Sequence, residues 1–382
     1  MATQAAIYDG LDGDDVVDRE LSWSERELPQ HERTRHVHAL HPYLGKFIPQ
    51  LVEAFLRRHV VAGQTVVDPF AGSGTTLVEA AAFGAHAAGA DVSAFNVLLA
   101  GVKARRHDSE LVERELLATL TRFESQLPDI GLPGAGVASE FLVRWYAPGA
   151  LAELLAFRAQ IPHADAASRE LLRVVLSRAA RSARLTPHYD LDFPKQPQLG
   201  PYWCHKHRHE CYPVTGAARF LRRYTHDTIR RVRTFQELRA DVNVAVHHAD
   251  ARTLDWADSF DALVTSPPYP GRIDYHEQHR YAFELLELEP WKSSEIGAPA
   301  HGLSRAAIAA YAEDMVAVLG RARAHLRPGA PVIVVVDDPR GLFPAILERS
   351  GIELVERRLR HVNRRTGRRE GEFFEQVLVA RA

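Results

Sequence analysis

The sequence predicts an α/β fold: a parallel, doubly wound sheet of seven strands, ending in a β-hairpin and interrupted by a mainly helical insertion. Three observations predict it. Strand and helix patterns alternate from residue 64 to about 105. From about 103 to 240 helical periodicity takes over and strand signals become few. The alternation resumes near residue 242 and runs to a terminal pair of strands.

Taken in order, residues 1–35 are rich in acids (Asp9, Asp12, Asp14, Asp15, Asp18, Glu20, Glu25, Glu27) and are expected to form a flexible N-terminus. A helix follows over Leu51, Val52, Phe55 and Leu56. Residues 64–67 form a short buried strand, 77–83 a helix stopped by Gly84, and 86–90 a second strand ending at Asp91. The insertion is placed at 106–240, with helices around 111–120, 151–157 and 171–185. Its stretch 186–213, dense in Pro, His and aromatics, is expected to be an ordered irregular loop. Strands at 242–246, 262–264 and 331–336 follow, with helices at 306–325 and 342–349. The hairpin pairs 352–362 with 373–380 across Thr366-Gly367. The sheet domain thus comprises 36–105 and 241–382.

Composition narrows the class. The chain has 382 residues, 46% hydrophobic and 25% charged, enough for one large domain with an insertion. The formal net charge of -2 hides an asymmetry, because Arg concentrates in 173–233 and 357–369. Two cysteines, Cys204 and Cys211, exclude a disulfide scaffold and fit a reducing cytoplasm. No signal peptide and no apolar run of about 20 residues are present, so neither export nor a membrane is expected.

Two motifs carry chemistry. Asp68-Pro69-Phe70-Ala71-Gly72-Ser73-Gly74-Thr75 lies between a strand and a helix. Gly72 and Gly74 allow a tight turn and close approach of backbone to ligand. Asp68 at the strand end can accept from an amine. Asp91, with Val92 behind it, ends the next strand, where a ribose diol would lie. Asp250, followed by Ala251, could accept from an adenine amine or simply cap a helix. The set suits adenosine better than pyrophosphate, since the loop is not G-x-G-x-x-G and lacks a phosphate-loop Lys. The second motif is Thr265-Ser266-Pro267-Pro268-Tyr269. Two prolines fix the backbone and remove donors. An amine could donate to the Ser266 side chain and the Pro267 carbonyl, while Tyr269 offers a face for a base.

Together these motifs resemble the S-adenosylmethionine-dependent DNA amino-methyltransferase family, in the serine form typical of its cytosine-N4 members. The first is similar to the family's cofactor motif and the second to its catalytic motif. His41-Pro42-Tyr43-Leu44-Gly45-Lys46-Phe47-Ile48-Pro49 is similar to a third, which packs on the methionine end of the cofactor. The resemblance implies a Rossmann-like methyltransferase sheet and S-adenosylmethionine as cofactor, touched by Lys46, Phe47, Asp68, Phe70, Gly72, Ser73, Gly74, Thr75, Asp91, Val92, Asp250, Ala251 and Ser266. It implies catalysis by Ser266, Pro267, Pro268 and Tyr269 on a flipped-out cytosine of double-stranded DNA. A restriction endonuclease acting separately is the implied companion, and the protein itself would be a monomer or homodimer. Motif order is permuted, with the long insertion before the catalytic motif. Adenine-N6 transfer, an RNA base amine, and a silent nucleic-acid-binding scaffold are the alternatives. Carbon-5 methylation needs a thiolate, and neither cysteine is near the catalytic loop in sequence.

For nucleic acid, three Arg runs without evident matching acids (Arg173, Arg178, Arg181 and Arg184; Arg222 to Arg233; Arg357 to Arg369) favour phosphate contact. The expected contacts are Arg181, Arg184, Arg222, Arg223, Arg272, Arg364, Arg365 and Arg368, with His205, Lys206 and His207. Those last three lie in Trp203-Cys204-His205-Lys206-His207-Arg208-His209-Glu210-Cys211. Two thiols and three imidazoles there could ligate zinc, but the spacing fits no standard finger, so no metal is assigned.

Overall fold

The computed structural model describes residues 17–45, 47–134, 136, 138–192, 194–362 and 373–382. Lys46, Arg364, Arg365, Arg368 and the expected turn at Thr366-Gly367 lie outside the described residues.

Among the described residues nine strands follow in chain order: β1 (Thr65–Asp68), β2 (His86–Asp91), β3 (Tyr202–Cys204), β4 (His209–Cys211), β5 (Val244–His248), β6 (Ala262–Thr265), β7 (Pro331–Val336), β8 (Glu353–His361) and β9 (Phe374–Arg381). Seven of them form one sheet in the order β5-β2-β1-β6-β7-β9-β8. Every pairing is parallel except those of β9, which runs antiparallel to both β7 and β8. The seven-stranded sheet with a terminal hairpin is therefore as expected.

Strand side chains alternate between two packed layers, as the pleat demands. Val66, Val264, Ile333, Val335 and Val377 face one core. Val67, Leu263, Val332, Val334, Val336 and Leu378 face the other. Helices Pro49–His59, Thr75–Phe83 and Ala94–Ala104 cover the first layer, and Arg305–Arg323 and Phe343–Arg349 the second. Strand order reverses at the neighbours β1 and β6, so their carboxyl ends diverge and leave a crevice.

The insertion holds helices Ser109–Gln126, Glu140–Trp145, Pro148–Gln160, Ala166–Ala183 and Ala218–Leu238. Asp108, Ser139 and Asp165 cap three of them with side-chain oxygens. Its apolar faces, including Leu116, Phe157, Leu172 and Phe235, join the first layer in one continuous core.

Two expectations need correction. Residues 17–35 are not a loose tail: Asp18 N–H donates to the Leu359 carbonyl at 2.7 Å, its carboxylate pairs with Arg358, and Leu21 is buried. Asp18 is thus a partner for the sheet edge, and Glu20 pairs with Arg58 of the helix Pro49–His59. The stretch 186–213 is not wholly irregular either, because β3 and β4 pair as an antiparallel ribbon with Cys204 opposite His209 and Tyr202 opposite Cys211. No helix among the described residues is long and apolar enough to cross a membrane.

Candidate active site

A cleft of about 790 Å³ opens at the carboxyl ends of β1, β2 and β6. Its lining brings together Phe47, Phe70, Gly72, Ser73, Thr75, Asp91, Val92, Asp250, Ala251, Ser266 and Pro268 from segments far apart in sequence.

The loop after β1 explains its own residues. Gly72 and Gly74 have φ of +50° and +81°. A Cβ on Gly74 would lie 2.8 Å from Ala100 Cα, so only glycine lets this loop seat against the helix Ala94–Ala104. Gly74 also precedes the helix Thr75–Phe83 without any side-chain cap. The first-turn N–H groups are thus left for a ligand, at the end of a helix that favours negative charge.

Asp91 is held by three donors. Gly72 N–H reaches one oxygen at 3.0 Å, and Ser93 N–H (2.8 Å) and Asn96 Nδ2 (3.1 Å) reach the other. Burial pushes its carboxyl up to about 6, against the pull of these bonds. Asn96 Nδ2 also donates to the Tyr43 hydroxyl at 3.1 Å, and the Tyr43 ring stacks between Tyr275 and His279.

Asp68 does something other than expected. Its carboxylate is buried and does not line the cleft. It accepts from Thr265 Oγ1 (2.6 Å), Thr76 Oγ1 (2.6 Å) and Phe70 N–H (3.0 Å). A charge this deep must be satisfied internally, and burial pushes its carboxyl up to about 6. Asp68 ties the glycine loop to the Thr265–Tyr269 loop. Asp250 lines the cleft, but it is no free acceptor: Arg252 holds both oxygens, with Nη2 at 2.6 Å, and these bonds keep its carboxyl low.

The Thr265–Tyr269 loop separates two clefts. Ser266 and Pro268 face the one above, while Tyr269 lines a second of about 1100 Å³ with Arg272, Asp337 and Phe343. Tyr311 donates to the Pro268 carbonyl at 2.9 Å and fixes the loop from behind. Tyr269 donates to Glu375 at 3.2 Å, and Arg360 clamps that carboxylate from the other side at 2.7 Å. Burial and then Glu375 hold the phenol well above its ordinary value, while the Ser266 hydroxyl beside it acts the other way.

Sequence reasoning missed Tyr275, His276, Glu295 and Ile296, which close the cleft opposite the glycine loop. His276 Nδ1 meets Glu295 at 2.8 Å and its Nε2 is buried without a partner. The aromatic run Tyr275-His276-Glu277-Gln278-His279-Arg280-Tyr281, shortly after the Thr265–Tyr269 loop, is the signal that could have found the first two.

Of the described arginines in the expected surface, Arg181 and Arg184 are turned inward, whereas Arg222 and Arg272 are exposed but already paired. Arg181 pairs with Asp192. Arg184 is buried over the Tyr281 ring and donates to the Leu191 carbonyl. Arg222 pairs with Glu124, and Arg272 with Asp337. The matching acids sit on other elements, which is why the runs looked unbalanced in sequence. Arg223, His205, Lys206 and His207 are exposed as expected.

A family model described as DNA methylase, of the N6/N4 type, matches residues 13–100. The Type II methyltransferase M.MjaII of Methanocaldococcus jannaschii is 33% identical, over 92% of this chain and 81% of its own length. The chain belongs to the DNA methyltransferase family. Its cofactor is S-adenosylmethionine. Solved chains resemble it more distantly. TrmN from Thermus thermophilus has a TM-score of 0.35 at 15% identity, covering 88% of this chain and 50% of TrmN. The rRNA methyltransferase AviRa from Streptomyces viridochromogenes has a TM-score of 0.34 at 13% identity, covering 90% of this chain and 88% of its own.

The cleft fits the cofactor on its own terms. Ser73 Oγ, Thr75 Oγ1 and Asn96 Oδ1 are buried without partners and belong to residues lining it. Polar atoms so placed call for a polar ligand. Ser73, Thr75 and the open helix end suit a carboxylate, Asp91 suits a diol, and Phe70 and Ile296 supply apolar walls.

Proposed function

We propose that this DNA methyltransferase modifies the exocyclic N4 amine of a cytosine swung out of double-stranded DNA. The observation that carries the reading is Ser266, at the head of a Pro-Pro-Tyr loop and on the rim of the cofactor cleft. Adenine enzymes of the family more often have Asp at this position. The cofactor supplies an electrophilic sulfonium methyl. The chain's own part is positioning. The Ser266 oxygen accepts one amine hydrogen and the Pro267 carbonyl the other, which turns the nitrogen lone pair toward the cofactor cleft. The Tyr269 ring, its hydroxyl anchored on Glu375, offers the base a fixed stacking face. With Arg360 on Glu375 the whole row is held before substrate arrives.

Duplex contact falls to the insertion. Trp203 within the ribbon and Tyr212 just after it are exposed aromatics, and Lys206, Arg208 and Arg223 are exposed cations. Likeness to a Type II methyltransferase supports a protective role beside a separate restriction endonuclease, acting on DNA in the cytoplasm.

The test is plasmid DNA passed through a methylation-free host expressing the protein, digested to nucleosides and weighed by mass spectrometry. N4-methylcytosine is expected, N6-methyladenine would move the target to adenine, and no methylated base would refute the reading. Ser266→Ala should lower turnover about 10²–10³-fold, the usual cost of one lost transition-state hydrogen bond, with cofactor affinity kept.

A further inference from the structure

We propose that the ribbon of the insertion is a zinc site, with His188, Cys204, His207 and Cys211 as its four ligands. One ligand atom from each of these residues lies within 4.8 Å of all the others. A tetrahedral zinc with Zn–S near 2.3 Å and Zn–N near 2.0–2.1 Å needs ligand–ligand separations of about 3.3–3.8 Å. His207 Nδ1 and Cys211 Sγ are already 3.3 Å apart. The rest of the set closes by small side-chain movements.

The spacing that fits no standard finger in sequence has a structural reason. Cys204 ends β3 and Cys211 ends β4, with the turn between them closed by Arg208 N–H on the Cys204 carbonyl at 2.7 Å and by Arg208 at φ +57°. His207 sits in that turn. The fourth ligand comes from the preceding loop, where His188 N–H donates to the Tyr202 hydroxyl at 3.0 Å and the two imidazoles approach to 4.7 Å between ring centres. No local regular expression joins a residue to partners across such a loop.

Two features of the cluster ask for a metal. His188 Nδ1 is buried with no hydrogen-bond partner. Both thiols are buried on a ribbon of two three-residue strands, which is too small to hold itself together by pairing alone. A structural metal supplies that stability, as it does in other small elements. Two thiolates and two imidazoles select zinc and leave no open position for catalysis. His209 stands outside the set, since its Nδ1 is engaged by the Glu210 carbonyl at 2.7 Å. The other grouping of ligand types, His36, His38 and Glu79, is already closed by the His38–Glu79 bond at 2.7 Å and by Arg35.

The experiment uses the full chain, purified under reducing conditions with its affinity tag removed. Metal content by plasma mass spectrometry should give one zinc per chain. Cobalt exchanged into the site should show the intense visible bands of a tetrahedral centre and a thiolate charge-transfer band. Cys204→Ser and Cys211→Ser should each lower the zinc ratio at least tenfold, and His205→Ala and His209→Ala should leave it near one. Cofactor binding by calorimetry, unchanged in the cysteine variants, establishes that the sheet domain is still folded. Substoichiometric zinc in the wild-type chain, zinc that survives both cysteine variants, or a Cys204–Cys211 disulfide in the intact reduced protein would each overturn the assignment.

Discussion

The reassignment of Asp68 makes a sharp contrast between two acids that look alike in sequence. Asp68→Asn keeps the geometry of the wild type, because the amide oxygen still accepts from Thr265 and Phe70. Its Nδ2 can donate to Thr76 Oγ1, whose own proton turns to the Val264 carbonyl, already 3.3 Å away. The net cost should be about 1 kcal/mol of stability, one exchanged hydrogen bond. Asp68→Ala strands a buried N–H and a buried hydroxyl and should cost about 3–5 kcal/mol. Cofactor affinity in Asp68→Asn should stay within about threefold, since no atom of Asp68 reaches the cleft. Asp91→Asn removes charge and one acceptor from the diol site. At about 2–3 kcal/mol, that is a loss of about 30–150-fold. Calorimetry with S-adenosylmethionine reads both affinities, and urea titration reads both stabilities. A folded Asp68→Asn protein that loses the cofactor as severely as Asp91→Asn would show that Asp68 touches the ligand. Equal affinity in wild type and Asp91→Asn would remove Asp91 from the ribose.

Three further outcomes are expected. Hydroxyl donors favour ionised Asp91, whose carboxyl is pushed up to about 6 without ligand, so binding expels a proton below that pH; affinity should rise by up to about tenfold per pH unit toward 6, level off above it, and be flat in Asp91→Asn when followed by calorimetry from pH 5 to 8. Asp227, held by Arg178 and Arg231 and lowered to about 2, contributes stability that is present above its unfolded value near 3.8 and is lost as pH falls toward 2; Asp227→Ala should cost about 3 kcal/mol at pH 7 in urea titration, because it leaves a largely buried Arg178 unpaired. Gly74→Ala forces a left-handed backbone on alanine and drives Cβ into Ala100 at 2.8 Å, for about 2–4 kcal/mol and loss of cofactor binding in the same assays.

What could be read from the sequence divides along a physical line. The strands and the glycine loop were legible because their signals are local: an apolar run, an acid at its end, a turn that only glycine allows. Residues whose role depends on a distant partner were not. Asp68 and Asp91 both end strands beside the cofactor loop, yet one points inward to Thr265 and the other lines the cleft, and only the packing of β1 against β6 decides between them. Arg178, Arg181 and Arg184 share a helix segment with few acids near them, so they suggested a phosphate-binding face. Asp227 and Asp192, on other elements of the insertion, turn that face inward, and the Tyr281 ring under Arg184 ties its end to the sheet domain. Tyr275, His276 and Glu295 escaped notice because the cleft they close exists only after folding.

The same line explains how a motif order interrupted by so long an insertion still yields one site. Asp68 and Thr265 are 197 residues apart, yet their strands are neighbours and their side chains bond at 2.6 Å. The insertion enters between the helix Ala94–Ala104 and β5, which is an edge strand. Extra chain there lengthens one crossover without disturbing the central pair β1 and β6. Loop closure grows only slowly with length, so the added residues cost the central strands little. Asp68 then fixes the cofactor loop to the amine loop through Thr76 on one oxygen and Thr265 on the other. The two motifs are thereby joined where they cross by a single buried carboxylate.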